Sequence, residues 1–184
     1  MSELASGLIG ALLGAAVSAV ALYINYRSSL DAISGWRSKL FDAASAEKIT
    51  LKEVQVLRTA LRYEPAKKVE EYTFDWVSNI MIYYCDYISL KYFERDETNL
   101  LYQEQEIIRV FIRCLLKYHW EYNTSMVSSL QFLKVNSKSS RRPNFIRETY
   151  EKANAICKTL DDKDSAKLIE EINKKMIERA HDET

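Results

Sequence analysis

The residues whose types could do chemistry are few: two histidines, three cysteines, two short acidic clusters and one basic stretch. His181 lies in the closing HDET, while His119 stands beside Trp120 with Glu121 close by. Residues one or two apart on a helix face different ways. His119 and Glu121 are therefore not a natural acid–base pair, and the expectation is a capping or partly buried imidazole, with general-base work as the alternative. Cys85, Cys114 and Cys157 are odd in number and none sits at metal-ligand spacing. They read as free, buried thiols in a reducing compartment; a thiol switch or nucleophile is the competing reading.

Metal binding needs several His, Cys, Asp or Glu side chains converging on one point. Glu104 and Glu106 point apart on a helix. Asp161, Asp162 and Asp164 sit in an expected inter-helix turn, without the spacing or bidentate Glu of a calcium loop. Helix capping accounts for them. No glycine-rich phosphate loop, nucleophile elbow or HExxH occurs. No catalytic, cofactor or metal site is expected. The basic stretch 134–142 reads KVNSKSSRR, with Lys134, Lys138, Arg141 and Arg142. It is a solvated loop or a contact for anionic lipid heads or a phosphate-bearing partner.

The elements that carry these residues follow from composition. Gly (4) and Pro (2) are scarce, and three of the glycines fall in the first 14 residues. Sandwiches and barrels need many turns, so the chain reads as all-α. With 26 basic and 26 acidic residues, charge lends no support to bulk nucleic-acid binding.

Residues 4–24, LASGLIGALLGAAVSAVALYI, contain no charge and no proline. At about 1.5 Å per residue they span about 31 Å, which matches a bilayer core of about 30 Å. The residues ahead of them are Met-Ser-Glu, not the basic region that a secretory leader carries. The expectation is an uncleaved single span. Arg27, Arg37 and Lys39 follow it and no basic residue precedes it, so the N-terminus is expected outside and the remainder in the cytoplasm. Ser6, Gly10, Gly14 and Ser18 recur every fourth position. Such a stripe lets two backbones approach closely and predicts a homo-oligomer; the alternative is that small residues merely fill an anchor.

Leu30, Ile33, Trp36, Leu40, Phe41 and Ala44 continue a helical period. The expected helix runs from the membrane to about Ala44, with Gly35 its weak point. Three regions result: an anchor over 1–26, a juxtamembrane helix over 27–48 and a helical domain over 49–184. The whole is an N-terminal transmembrane helix continuing into a cytoplasmic bundle of about five to six helices. Thr50 and Glu53 form a capping box, and Pro65 should end that helix near Tyr63. The aromatic-rich 66–94 should be the central helix. Asp96 is a candidate cap for a helix over 97–122, and Met126–Leu133 should continue or restart it. After the basic loop, Pro143 opens helices over about 144–160 and 164–180.

One pattern extends beyond local signals. Trp36-Arg37-x-x-Leu40-Phe41-Asp42-x-Ala44-Ser45, then Leu57-Arg58-x-x-Leu61-Arg62-Tyr63-x-Pro65, then Phe74-Asp75 resembles a loose group of small single-pass membrane proteins of Gram-positive bacteria and their prophages and plasmids. The resemblance covers about residues 20–90. It implies a membrane setting and a role such as phage exclusion or host interaction. Its residue-level content is Trp36, Arg37, Leu40, Leu61, Arg62 and Pro65, each with a structural role open to it. Trp36 would pack the juxtamembrane helix, and Arg37 or Arg62 would answer carboxylates at the core edge. Two functions remain in view. One is a membrane-anchored helical interaction protein, with lipid, a second copy and a protein partner as its contacts and no nucleic acid. The other is an enzyme or toxin-like effector with its site inside the helical domain.

Overall fold

Among the described residues, the helical period written into the sequence is realised as a set of α-helices. The computed structural model describes residue 7, residues 10–23, 35–94, 99–128 and 144–182, with side chains in these stretches except at 122–128, 164 and 179–182. Its helices are α1 (10–23), α2 (Trp36–Ser45), α3 (Leu51–Ala60), α4 (Phe74–Glu94), α5 (Tyr102–Ser128), α6 (Asn144–Cys157) and α7 (Lys163–Asp182). The chain divides into two compact units, Met1–Ser38 and Lys39–Thr184.

In the first unit, α1 is uncharged and exposed along its length. Among the described residues no helix is long and apolar enough to cross a membrane. The described part of the expected span is Gly7 and α1; Leu4, Ala5, Ser6, Leu8, Ile9 and Ile24 lie outside the described residues. One expectation is corrected here. The helix does not run unbroken to Ala44, because Gly35 is non-helical with φ +60°. Lacking a Cβ, glycine reaches this left-handed region without penalty. α2 therefore begins afresh at Trp36.

In the second unit, α4 is the central helix. Trp76 through Ile82 are buried without interruption, a pattern that fits only a helix covered on all sides. α3, α6 and α7 pack against it, and α5 packs against α3 and α6. Tyr84 of α4 meets Phe111 of α5 edge to face, their ring centroids 5.6 Å apart. Phe74 stacks on Tyr118 at 3.5 Å between centroids.

Local signals explain most helix ends. The Thr50 hydroxyl accepts from the Lys52 amide, and the Glu53 carboxylate accepts from the Thr50 amide (2.8 Å) and hydroxyl (2.7 Å). α3 stops at Ala60, ahead of the expected Tyr63, because Leu61 is extended. Arg58 then donates to the carbonyls of Arg62 (2.9 Å) and Tyr63 (2.9 Å), fixing the turn before Pro65 acts. α4 begins at Phe74, not at 66. Tyr72 adopts φ 62°, which a helix does not allow. Thr73 caps the start, its hydroxyl accepting from the Trp76 amide at 3.3 Å. The 61–73 segment is held by Asn79, buried on α4, whose amide pairs with both the N–H (2.8 Å) and the carbonyl (2.9 Å) of Ala66. α5 begins at Tyr102 rather than 97 and runs unbroken past 122 to Ser128. Asp96, residues 129–133 and Pro143 lie outside the described residues.

Thr50→Ala removes a cap and should cost about 1 kcal/mol, lowering Tm by roughly 2–4 °C for a chain of this size. Partial burial by itself would raise the Glu53 carboxyl, but its hydrogen bonds with Thr50 outweigh this and hold it below the usual glutamate range. A depressed carboxyl stabilises the fold above its unfolded value, and that contribution is lost as pH falls through the folded one. The Tm gap between the natural chain and Glu53→Gln should therefore close in acid.

Candidate functional site

Gly10, Gly14 and Ser18 lie at i, i+4 spacing on α1, and a methyl group added at either glycine would meet nothing within 4 Å. Ser6 lies outside the described residues, as do Lys134, Lys138, Arg141 and Arg142. Trp36 and Arg37 are half-buried, with the guanidinium 5.4 Å from the indole centroid. Leu40 is fully buried and Phe41 is exposed. The motif thus sends its leucine inward and its phenylalanine outward. Arg62 answers a carboxylate, but an exposed one rather than one at the core edge. It pairs with Asp75 at 2.9 Å and donates to the Ser78 hydroxyl at 2.9 Å.

His119 is half-buried and lies edge-on to Phe74, at 6.2 Å, and to Tyr118. The His181 side chain is outside the described residues. All three cysteines are free and buried. Burial pushes Cys85 and Cys157 up and Cys114 up to about 11. Thiols held in this way are poor nucleophiles, since the thiolate is the reactive form. Among the described residues no three His, Cys, Asp or Glu side chains are grouped to hold a metal.

Glu104 and Glu106 do point apart, and the difference has consequences. Glu106 faces the surface beside Arg109, at 3.5 Å. Glu104 has no solvent exposure. Its carboxylate accepts from the Lys91 ammonium at 2.9 Å, from the Tyr92 hydroxyl, and from the Leu101 amide at 3.0 Å. Lys91 also donates to the Ser165 hydroxyl at 3.3 Å. Ser165 in turn donates to the Asp162 carboxylate at 2.6 Å and is 2.9 Å from the Tyr87 hydroxyl. The Cys157 thiol donates to the Ser165 carbonyl at 2.9 Å. This cluster joins α4, α5 and the start of α7.

Serine, lysine and two carboxylates are the side chains of a nucleophile–base device. The proton inventory argues otherwise. The only Ser165 hydroxyl proton goes to Asp162, so Tyr87 donates to Ser165 and, with Lys91, fills both oxygen lone pairs. Lys91 spends its charge on Glu104 and has no lone pair to offer as a base. Asp162 also caps α7, its carboxylate accepting from the Ser165 amide at 3.3 Å and its carbonyl from the Ala166 amide at 2.8 Å. The cluster is a closed structural lock. Lys91 and Ser165 were not recognisable as its members from sequence. Lys91 shares α4 with Asp75, Asp86 and Glu94, so no local signal singled it out.

The open surface lies elsewhere. A groove of about 390 Å³ runs between α3 and α4, lined by Leu51, Lys52, Gln55, Ser89, Leu90 and Phe93. Leu90 is 63% exposed and Phe93 81% exposed. Gln55 donates to the Ser89 hydroxyl at 2.8 Å, satisfying the polar groups of the two walls across the groove. The lining holds no histidine, tyrosine or carboxylate. It offers apolar contact and one cation, and no acid–base pair.

Removing one partner of the lock leaves a buried charge alone. Glu104→Gln and Lys91→Met should each cost about 3–5 kcal/mol in chemical denaturation. The Tyr84 hydroxyl is buried and has no hydrogen-bond partner among the described residues, so Tyr84→Phe should leave Tm unchanged or raise it. A loss of more than about 1 kcal/mol in that variant would reveal an unrecognised partner.

Comparison of the chain with protein-family models, with curated proteins and with solved structures gives no match.

Proposed function

We propose that this chain is a membrane-anchored helical interaction module that acts by contact rather than by catalysis. The observation that carries this is the contrast between its two polar settings. The nucleophile-like residues are locked inside with their protons assigned, whereas the accessible groove is apolar and lacks an acid–base pair. Concave apolar surface with few polar groups is what binding sites use.

The anchor is residues 4–24, uncharged and long enough for one span at about 1.5 Å per residue. Arg27, Arg37 and Lys39, which follow it, support a cytoplasmic side for the bundle. Gly10, Gly14 and Ser18 recur at i, i+4 spacing on α1, and small residues at this spacing, which let two backbones approach closely, support pairing of two copies. The resemblance of the 36–75 motif to membrane proteins of prophages and plasmids supports phage exclusion as the biological setting.

The full chain should sediment with membranes and resist alkaline carbonate extraction, and deletion of residues 2–24 should release it. A full chain that extracts completely would overturn the anchor. Replacing both Gly10 and Gly14 with Ile should reduce cross-linked dimer in membranes; unchanged yield would remove the stripe from the account. Expression in a phage-sensitive host should lower plating efficiency, and equal plating would remove the exclusion role.

A further inference from the structure

The α3–α4 groove has the features of one half of a two-fold contact. Phe93 projects from the wall of the groove, and that groove is large enough to receive a side chain of its kind. A protruding ring beside a hollow of matching chemistry is self-complementary, which is the requirement of an interface between identical copies. The flanking charges have the same property. Lys52, exposed, lines the α3 side. Glu94, also exposed, ends α4 and sits four residues after Leu90, on the same helix face. One patch therefore carries a knob, a hollow, a cation and an anion.

From this juxtaposition we infer that the α3–α4 groove is a homodimer contact, in which Phe93 of one copy enters the groove of the second and Lys52 faces Glu94 across the axis. The inference rests on the reading of the chain as an interaction module, and names a second copy of the chain as the partner. It is independent of the small-residue stripe on α1.

The patch is smaller than the roughly 1,200–2,000 Å² that a stable interface in solution buries. Tethering two copies to one membrane raises their effective concentration, so a weak contact suffices. The charges then set register and exclude wrong partners more than they add affinity. Phe93 and Leu90 are too exposed to contribute much to the fold of a single copy, so their substitution separates pairing from folding.

The test uses the full chain in membranes, mixing ¹⁵N-labelled and unlabelled copies and joining lysine to carboxylate with a zero-length carbodiimide. A mixed-isotope peptide linking Lys52 to Glu94 is expected. With dimer yield read by an amine-to-amine cross-linker acting at the remaining lysines, Lys52→Glu and Glu94→Lys should each lower it about fivefold or more, and the double exchange Lys52→Glu/Glu94→Lys should restore it to within about twofold. Phe93→Glu should abolish the link while leaving helical content and Tm unchanged. Unchanged yield in Phe93→Glu, or failure of the double exchange to restore what the single ones lose, overturns the groove contact. If dimer survives Phe93→Glu but is lost in Gly10→Ile/Gly14→Ile, the groove inference fails while the interaction reading stands. If the natural chain gives no mixed-isotope Lys52–Glu94 link at any density, the groove contact fails, while pairing along α1 stands or falls on the Gly10→Ile/Gly14→Ile result.

Discussion

The Lys91–Glu104 ion pair is the contact on which the bundle's arrangement depends. Both charges are almost wholly out of water, with the lysine side chain 9% exposed and the glutamate 0%. Burying two ions costs several kcal/mol each, and their attraction offsets this only when the remaining donors and acceptors are filled. Here they are filled by Tyr92, Leu101 and Ser165, which come from three different parts of the chain. α4, α5 and α7 can meet the condition in one register only. A slip of one residue in any of them would leave a buried charge unanswered.

That constraint propagates outward. Glu104 sits in the first turn of α5, so its bond to the Leu101 amide both caps the helix and aims the carboxylate at Lys91. Ser165 sits in the first turn of α7, held by Asp162. Two helix starts are thus pinned to the same lysine. Farther along α4, Trp76 donates to the Asn173 amide oxygen of α7 at 2.7 Å. α7 is therefore fixed to the central helix at two points, and Ile169 and Ile172 between them are buried.

The same fixing explains why chemistry of the hydrolase kind does not follow from these residue types. A reactive serine needs a free proton acceptor and access to substrate; Ser165 has neither, being buried with its oxygen fully engaged. The thiols are suppressed by burial in the same interior. Reactivity and lock are competing uses of one set of groups, and this fold has taken the second. Among the described residues, the α3–α4 groove is one surface left open to contact, where Leu90 and Phe93 are 63% and 81% exposed.

Helix type, approximate helix positions and the inward stripes were legible from the sequence, because period, capping residues and prolines act within a few residues of themselves. The capping box at Thr50 and Glu53 is the clearest example. The divergent directions of Glu104 and Glu106, and the role of Asp162 as a cap, were legible for the same reason. Helix ends set by distant groups were not. α4 starts late because Asn79 holds Ala66 and Tyr72 adopts a positive φ, and neither has a local signature. The partners of Lys91 and Glu104 were equally hidden. A lysine in an apolar helix and a glutamate in the next one announce no pairing, since the geometry that joins them exists only once α4, α5 and α7 are packed. Which apolar residues remain exposed is likewise a tertiary outcome. Leu90 and Ile88 look alike along the chain, and only the helices laid against α4 decide that Ile88 is core and Leu90 surface.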